Sequence, residues 1–200
     1  MIIGIILAAG AARRMGKLKQ LLPLAEKPMV WHVASAACRS HLAAVRLVTG
    51  AESAAVSDAV LDLPLSVIHN PDWCQGQSTS LIAGLQGLPP GADAVLFMLA
   101  DQPLVTPELI NSLIAAFEAS GKSIVCPVHD GQRGLPVLFS LRKWQNALNT
   151  LAGDQGARSI IAAHPGEIGQ VAVESPELFE DVDTPDDYRR MCGRFPQPPQ

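Results

Sequence analysis

The sequence predicts a three-layer α/β domain with a mostly parallel central sheet. Short apolar runs that are typical of buried strands alternate along the chain with stretches that are typical of helices. The first run begins at Ile2 and ends in a loop of small residues that carries several cations. We expect one domain over residues 1–192 and a disordered Pro/Gln-rich tail over residues 193–200.

In the first half of the chain, buried strands are predicted from short apolar runs that begin after turn residues. After the strand at the amino terminus, these runs lie at residues 44–49, 65–69 and 94–99. Helices are predicted between them from helix-start residues and periodic apolar positions, at residues 28–39, 52–60 and 77–88.

In the second half, two helices have strong start signals. Thr106-Pro107 begins a helix that runs to about Ala119, and Thr184-Pro185 begins a final helix that runs to about Met191. The remaining predicted strands lie at residues 123–127, 136–140 and 168–173, and the remaining helices at residues 141–151 and 156–163.

Composition excludes several classes of protein. A chain of 200 residues with 48% hydrophobic residues and a mean hydropathy of +0.20 is typical of a globular domain. The net charge of −4 argues against a nucleic-acid partner. Four widely spaced cysteines without metal-ligand spacing predict reduced thiols, and the first apolar run is too short to span a membrane. We therefore expect a cytoplasmic protein with no signal peptide and no membrane segment.

The loop after the first strand predicts a nucleotide site. Leu7-Ala8-Ala9-Gly10 lies at the carboxyl end of that strand, where open α/β sheets bind ligands. Small residues allow a nucleotide to approach the backbone, and Arg14 and Lys19 could then face its phosphates. The spacing fits neither a P-loop nor the dinucleotide fingerprint G-x-G-x-x-G. A strand-to-helix turn with a solvated basic face remains the alternative.

Carboxylates predict a Mg²⁺ site at the same edge of the sheet. Asp101 follows the predicted strand 94–99 directly, although it could simply cap the turn before Pro103. Asp183 could supply a second carboxylate. We expect one of Asp181 and Asp183 to face the crevice and the other to face away, and the pattern does not decide which.

Two further polar segments are weaker candidates. Gly76, Ser78 and Ser80 open the predicted helix 77–88 and could offer backbone N–H groups and hydroxyls to a base or ribose, although the segment taken alone favours a helix cap with exposed polar residues. Between Gly153 and Arg158, two glycines flank an aspartate, and the arginine could bind an anionic substrate.

Together these segments resemble the MobA-like nucleotidyltransferases. The matching motifs occur in family order over nearly the whole chain, from Ile2 to about Tyr188: Leu7-Ala8-Ala9-Gly10, Arg14-Met15-Gly16-x-x-Lys19, Leu21-Leu22-Pro23-Leu24, Lys27-Pro28, Asn70-Pro71-x-Trp73-x-x-Gly76-x-Ser78-x-Ser80-Leu81, Asp101-Gln102-Pro103, Gly153-Asp154-x-Gly156-Ala157-Arg158 and Asp183-x-Pro185-x-Asp187.

The resemblance implies a Rossmann-like fold and a Mg²⁺-dependent reaction in which a substrate phosphate attacks the α-phosphate of a nucleoside triphosphate. Ala9 implies CTP, and the implied acceptor is the terminal phosphate of molybdopterin. Arg14, Lys19 and Asp101 would be catalytic, Asp101 and Asp183 would bind the metal, and Gly134 and Arg158 would contact the acceptor. The product could pass to a molybdoenzyme or its maturation chaperone.

One departure from the family pattern concerns the acceptor. Relatives often carry Gly-His-Pro where this chain has Gly134-Leu135-Pro136. Two alternatives therefore stay open: the same chemistry on another phosphorylated acceptor, such as a sugar or alditol phosphate, or a nucleotide-binding chaperone for cofactor insertion.

Overall fold

A computed structural model describes residues 1–11 and 18–195 of the chain. It contains the following strands and helices in chain order: β1 Ile2–Ala8, β2 Pro23–Leu24, β3 Lys27–Pro28, α1 Met29–Cys38, β4 Ala44–Thr49, α2 Ser53–Asp58, β5 Ser66–His69, α3 Gln77–Leu85, β6 Ala94–Leu99, α4 Pro107–Ser120, β7 Ile124–His129, β8 Gln132–Arg133, β9 Val137–Ser140, α5 Leu141–Asn149, α6 Arg158–Ala163, β10 Ile168–Ala172 and α7 Pro185–Cys192.

One large sheet forms the centre of the molecule. Its strands lie in the order β10-β7-β9-β6-β1-β4-β5, and β8 pairs with β7 at one end. Strands β1, β4, β5 and β6 run parallel to one another, as do β7 and β10, whereas β9 runs antiparallel to both of its neighbours. The predicted three-layer α/β architecture with a mostly parallel sheet is confirmed.

Strand β1 lies between two parallel neighbours, and this position sets the site. Leu7 pairs with Leu99 of β6 and Ala8 pairs with Thr49 of β4, so the three strands end at the same edge. The side chains of β1 alternate between two apolar clusters because successive strand residues point to opposite faces. Helices α1 and α4 cover one face, and α3, α5 and α6 cover the other.

The helix starts predicted from Thr-Pro pairs are confirmed. The side chain of Thr106 accepts a hydrogen bond from the backbone N–H of Leu109 at 3.2 Å. Thr184 and Asp187 form a reciprocal capping box at the start of α7. Such caps satisfy backbone N–H groups that have no partner within the helix.

One feature was not expected from the sequence: a short antiparallel hairpin, β2–β3, precedes α1. Residues 194 and 195, at the start of the predicted tail, contact the domain. Arg194 lies 2.6 Å from Glu180, and the ring of Phe195 packs against His32 at 4.6 Å between centroids.

Across residues 1–11 and 18–195, no helix combines the length and apolar character needed to cross a membrane. The four cysteines are all free thiols.

Candidate nucleotide and metal site

A cavity of about 450 Å³ opens at the carboxyl edge of β1 and β6. Its size is in the range of small-molecule sites, and its position is where open α/β sheets bind ligands. Its wall contains Leu7, Ala9, Gly10, Ala11, Lys19, Gln20, Trp73, Cys74, Gly76, Gln77, Ser80, Leu99, Ala100, Asp101, Asp154 and Asp183.

Lys19 joins two of the predicted metal carboxylates. Its ammonium nitrogen lies 2.6 Å from Oδ2 of Asp101 and 2.6 Å from Oδ1 of Asp183. The side chains of Lys19 and Asp101 are only 15% and 16% exposed, so water screens this pair weakly. The other oxygen of Asp101, Oδ1, is buried and has no hydrogen-bond partner in the part of the chain that the structure describes.

The chain brings these residues together from three places. Lys19 begins a 3₁₀ turn after the loop that follows β1, and Asp101 lies just beyond β6. Asp183 lies just before α7. The backbone N–H of Val182 donates to the carbonyl of Asp101 at 3.0 Å, and the buried Val182 side chain anchors the segment.

Of Asp181 and Asp183, Asp183 lines the first cavity and Asp181 does not. Residues two apart in extended backbone point to the same side, with Val182 buried between them. Asp183 meets Lys19, whereas Oδ1 of Asp181 accepts a hydrogen bond from Nε2 of Gln102 at 2.8 Å. Asp181 lines a neighbouring cavity.

The charges at this edge alter two ionisations. Burial raises the pKa of Asp181 to about 6, and the negative charge of Asp101 adds to the shift. For Lys19, burial alone would lower the pKa, but the carboxylates of Asp101 and Asp183 outweigh it and raise the pKa. Lys19 is therefore a permanent cation at neutral pH.

Gln20 fixes the start of the predicted nucleotide loop. This side chain is buried, and its Nε2 donates to the carbonyl of Gly10 at 2.8 Å and to that of Ala8 at 3.4 Å. Sequence reasoning missed Gln20 because a buried amide gives no pattern signal. The predicted catalytic Arg14 lies outside the described residues.

The segment before α3 is also held by a buried amide. Asn70 donates to the hydroxyls of Thr79 and Ser80 at 2.9 and 3.0 Å. Gly76 has φ of +122°, a conformation that favours glycine, and a Cβ there would lie 2.7 Å from the backbone of Gly153. The two glycine-containing segments therefore pack against each other at the cavity.

Two of the predicted nucleotide contacts do not lie at the cavity wall. Ser78 is fully buried, because its position on α3 turns its side chain into the domain, whereas Gly76, Gln77 and Ser80 line the cavity. Ala8 is also buried and packs in the apolar cluster that α1 and α4 cover. Leu7, Ala9 and Gly10 do line the cavity.

Asp154 and Trp73 are cavity residues that the sequence analysis did not assign as binding residues. Oδ1 of Asp154 accepts from the backbone N–H of Gln77 at 3.2 Å, which ties the 153–156 loop to the start of α3. A Cβ at Gly50 would lie 2.6 Å from the Trp73 side chain, so this glycine lets the indole approach the end of β4.

A second cavity, of about 390 Å³, adjoins the first and shares Leu7, Gln77 and Leu99 with it. The predicted acceptor residues Gly134 and Arg158 both line this second cavity. Its wall is otherwise mostly apolar, with Leu81, Phe97, Met98, Gln102, Cys126, Arg133, Leu135, Val137, Phe139, Ala157, Ile161, Ala162, Phe179 and Asp181.

The donor set at the first cavity suits Mg²⁺ bound together with phosphates. Asp101 and Asp183 each place one oxygen against the ammonium of Lys19. The second oxygen of Asp101 is buried and has no hydrogen-bond partner among the described residues. Within residues 1–11 and 18–195, no group of three or more His, Cys, Asp or Glu could hold a metal alone. Mg²⁺ commonly takes one or two carboxylates and completes its shell with water and substrate phosphates.

Comparison with known proteins identifies a family, and the relatives carry names of different activities. The family model described as "MobA-like NTP transferase domain" matches residues 4–168. Nicotine blue oxidoreductase of Paenarthrobacter nicotinovorans is 27% identical over 95% of this chain and 96% of its own length. Molybdenum cofactor cytidylyltransferase of Escherichia coli K12 is 25% identical over 96% of this chain and 95% of its own length.

A solved structure agrees in fold over the same extent. The Mycobacterium sp. strain JC1 homologue of Mycobacterium tuberculosis Rv0371c superposes with a TM-score of 0.85 at 30% identity, covering 96% of each chain.

Proposed function

The chain belongs to the MobA-like NTP transferase family, and we propose that it transfers CMP from CTP to the terminal phosphate of molybdopterin. An oxygen of that phosphate forms a bond to the α-phosphorus of CTP, and the bond from the α-phosphorus to the bridging oxygen breaks. Pyrophosphate leaves with that oxygen, and the product is molybdopterin cytosine dinucleotide. At neutral pH the acceptor phosphate is already ionised, so the step needs no general base.

The observation that carries this proposal is the convergence of Lys19, Asp101 and Asp183 at the wall of the first cavity. Transfer to or from phosphate depends mainly on positioning and on neutralising developing charge. At one edge of the sheet, the Lys19 ammonium provides a positive charge for the phosphates. The carboxylates of Asp101 and Asp183 provide a site for a metal cation. Arg14 would add a second cation to the departing pyrophosphate.

Asp101 and Asp183 would hold Mg²⁺ in the complex. A bound Mg²⁺ supplies charge neutralisation at the phosphates. Lys19 would bind phosphate oxygens. The hydrogen bond from the backbone N–H of Val182 to the carbonyl of Asp101 fixes the backbone of Asp101 and would so hold its carboxylate toward the metal.

The nucleoside would lie over Ala9 and Gly10, whose small side chains leave room for a close approach. Gly76 and Ser80 line the same cavity and would contact the ribose or base. The choice of CTP rests on Ala9 in the family motif and on the similarity to a molybdenum cofactor cytidylyltransferase.

The acceptor would enter through the second cavity, which adjoins the first. Arg158 presents a planar guanidinium that suits a phosphate. Leu135, which lines this cavity in place of the usual family histidine, supports the second candidate: the same cytidylyl transfer to a different phosphorylated acceptor.

Pyrophosphate release tests the proposal. The protein is incubated with CTP, Mg²⁺ and molybdopterin, and with a sugar phosphate and an alditol phosphate in place of molybdopterin. Release with molybdopterin supports the proposed reaction, and release only with another acceptor supports the second candidate. Nucleotide binding without release from any acceptor would support a binding chaperone instead.

A further inference from the structure

We propose that Lys19 occupies the divalent-cation position between Asp101 and Asp183 until a nucleoside triphosphate withdraws it, so that metal and nucleotide bind together. The inference rests on the proposed function, because it takes the first cavity to be the site of a metal–nucleotide complex. It adds an order of events: without nucleotide the two carboxylates already have their cation.

The ammonium of Lys19 lies between the carboxylates of Asp101 and Asp183. Both carboxylate oxygens lie 2.6 Å from the same nitrogen, so the ammonium sits at the point where an ion bridging Asp101 and Asp183 would bind. An ammonium and a divalent ion cannot share that position. A metal that enters the nucleotide-free protein must therefore displace Lys19 from two ion pairs.

A metal that replaced the ammonium would gain two carboxylate ligands. Two carboxylates fill only part of the six-coordinate shell of Mg²⁺. Among residues 1–11 and 18–195, no third His, Cys, Asp or Glu completes a metal-binding group with them. The exchange of ammonium for metal is therefore unfavourable until phosphate oxygens are present.

Lys19 can find new partners when a triphosphate binds in the first cavity. Its side chain lines the first cavity together with Gly10 and Gly76, so a triphosphate in that cavity lies within reach of the ammonium. A lysine is a point charge on a flexible four-carbon stem and can turn from carboxylates to phosphates. The exchange keeps every charge paired: Lys19 pairs with phosphate, and the two carboxylates pair with the metal.

Binding of Mn²⁺, measured by electron paramagnetic resonance, tests this exchange without relying on activity. Mn²⁺ is titrated into the wild type and Lys19→Met with and without α,β-methylene-CTP. We expect the nucleotide to tighten Mn²⁺ binding to the wild type at least about tenfold, and Lys19→Met to bind Mn²⁺ without nucleotide at least about tenfold more tightly than the wild type.

Two further variants make the test specific. Lys27→Met removes a lysine that pairs with the exposed Asp62, away from the site, and should leave Mn²⁺ binding unchanged. Lys19→Gln keeps hydrogen-bond donors between the carboxylates but no charge, so it should bind Mn²⁺ like Lys19→Met and replaces that variant if circular dichroism shows misfolding.

Equal Mn²⁺ affinity of the nucleotide-free wild type and both Lys19 variants would overturn the inference, as would wild-type binding that nucleotide does not tighten. Repeating the wild-type Mn²⁺ titration with ATP, GTP and UTP distinguishes a failure of the proposed function from a failure of the exchange. Coupling with GTP but not with the CTP analogue would support the exchange and contradict the cytidine assignment.

Discussion

Lys19 and Asp183 are 164 positions apart in the chain, yet their side chains meet at 2.6 Å. Asp101 approaches the same ammonium at the same distance. The contact joins the 3₁₀ turn that begins at Lys19, the end of β6 and the segment just before α7. The cluster of Lys19, Asp101 and Asp183 therefore exists only in the folded protein.

Asp101→Asn should reduce turnover by about 10²–10³-fold, because the amide removes a charge that the site uses to hold a cation against the phosphates. The measurement is pyrophosphate release at saturating CTP and Mg²⁺, with circular dichroism as the check on folding. Asp93→Asn is the matched control, since Asp93 is exposed at the opposite edge of the sheet, where it pairs with the N-terminal ammonium. Near-normal turnover of Asp101→Asn would contradict the metal assignment.

Asp181→Asn should stabilise the metal-free protein at pH 7 but not at pH 3.5. The folded-state pKa is raised from 3.8 to about 6, so ionisation of Asp181 opposes folding. The carboxyl's favourable contribution is complete below pH 3.8 and is lost as the pH rises through 6. Because Asp181 is partly open to water, we expect a gain of about 1 kcal/mol at pH 7.

Urea unfolding of both proteins between pH 3.5 and pH 8 measures this difference. The asparagine keeps an oxygen that can accept the hydrogen bond from Gln102, so the comparison isolates the charge. A difference in unfolding free energy that does not change between pH 4 and pH 7 would refute the raised pKa.

Thr184→Ala should cost about 1 kcal/mol of stability, because the hydroxyl accepts from the backbone N–H of Asp187 in the capping box. Asp187 in turn accepts from the backbone N–H of Asp183, so turnover should fall as well. Thr150→Ala, at an exposed helix end, is the control and should change stability by less than about 0.5 kcal/mol. Chemical unfolding and pyrophosphate release report the two effects, and equal stability of the two variants would exclude the cap.

Gly134→Ala should raise the KM for the acceptor several-fold and leave the KM for CTP unchanged. A Cβ at Gly134 would overlap the ring of Phe179, and both residues line the second cavity. Gly166→Ala is the control, because a Cβ there meets nothing within 4 Å. An unchanged KM for the acceptor, or a rise in the KM for CTP instead, would place the acceptor elsewhere.

Local signals in the sequence predicted most of the fold. The run Ala94–Leu99 is a strand at the predicted bounds because it is short, apolar and followed by a turn. The Thr-Pro pairs predicted two helix starts because the cap chemistry is local. The hairpin β2–β3 was missed because its strands have only two residues each and show no periodicity.

The site was less accessible to sequence reasoning. Spacing placed Asp101 at the sheet edge, but it could not show that Lys19 would pair with it, since that contact depends on the tertiary position of Lys19. Ser78 was assigned to the nucleotide although its orientation on α3 buries it. Gln20 and Asn70 hold backbone and hydroxyl groups through buried amides, which no motif signals.

Labelled CTP tests the central claim most directly. The protein is incubated with molybdopterin and Mg²⁺, once with CTP labelled at the α-phosphate and once with CTP labelled at the γ-phosphate. We expect the α-label to enter the molybdopterin product and the γ-label to leave as pyrophosphate. Transfer of the γ-label to the acceptor, or no transfer of either label to any phosphorylated acceptor, would contradict it.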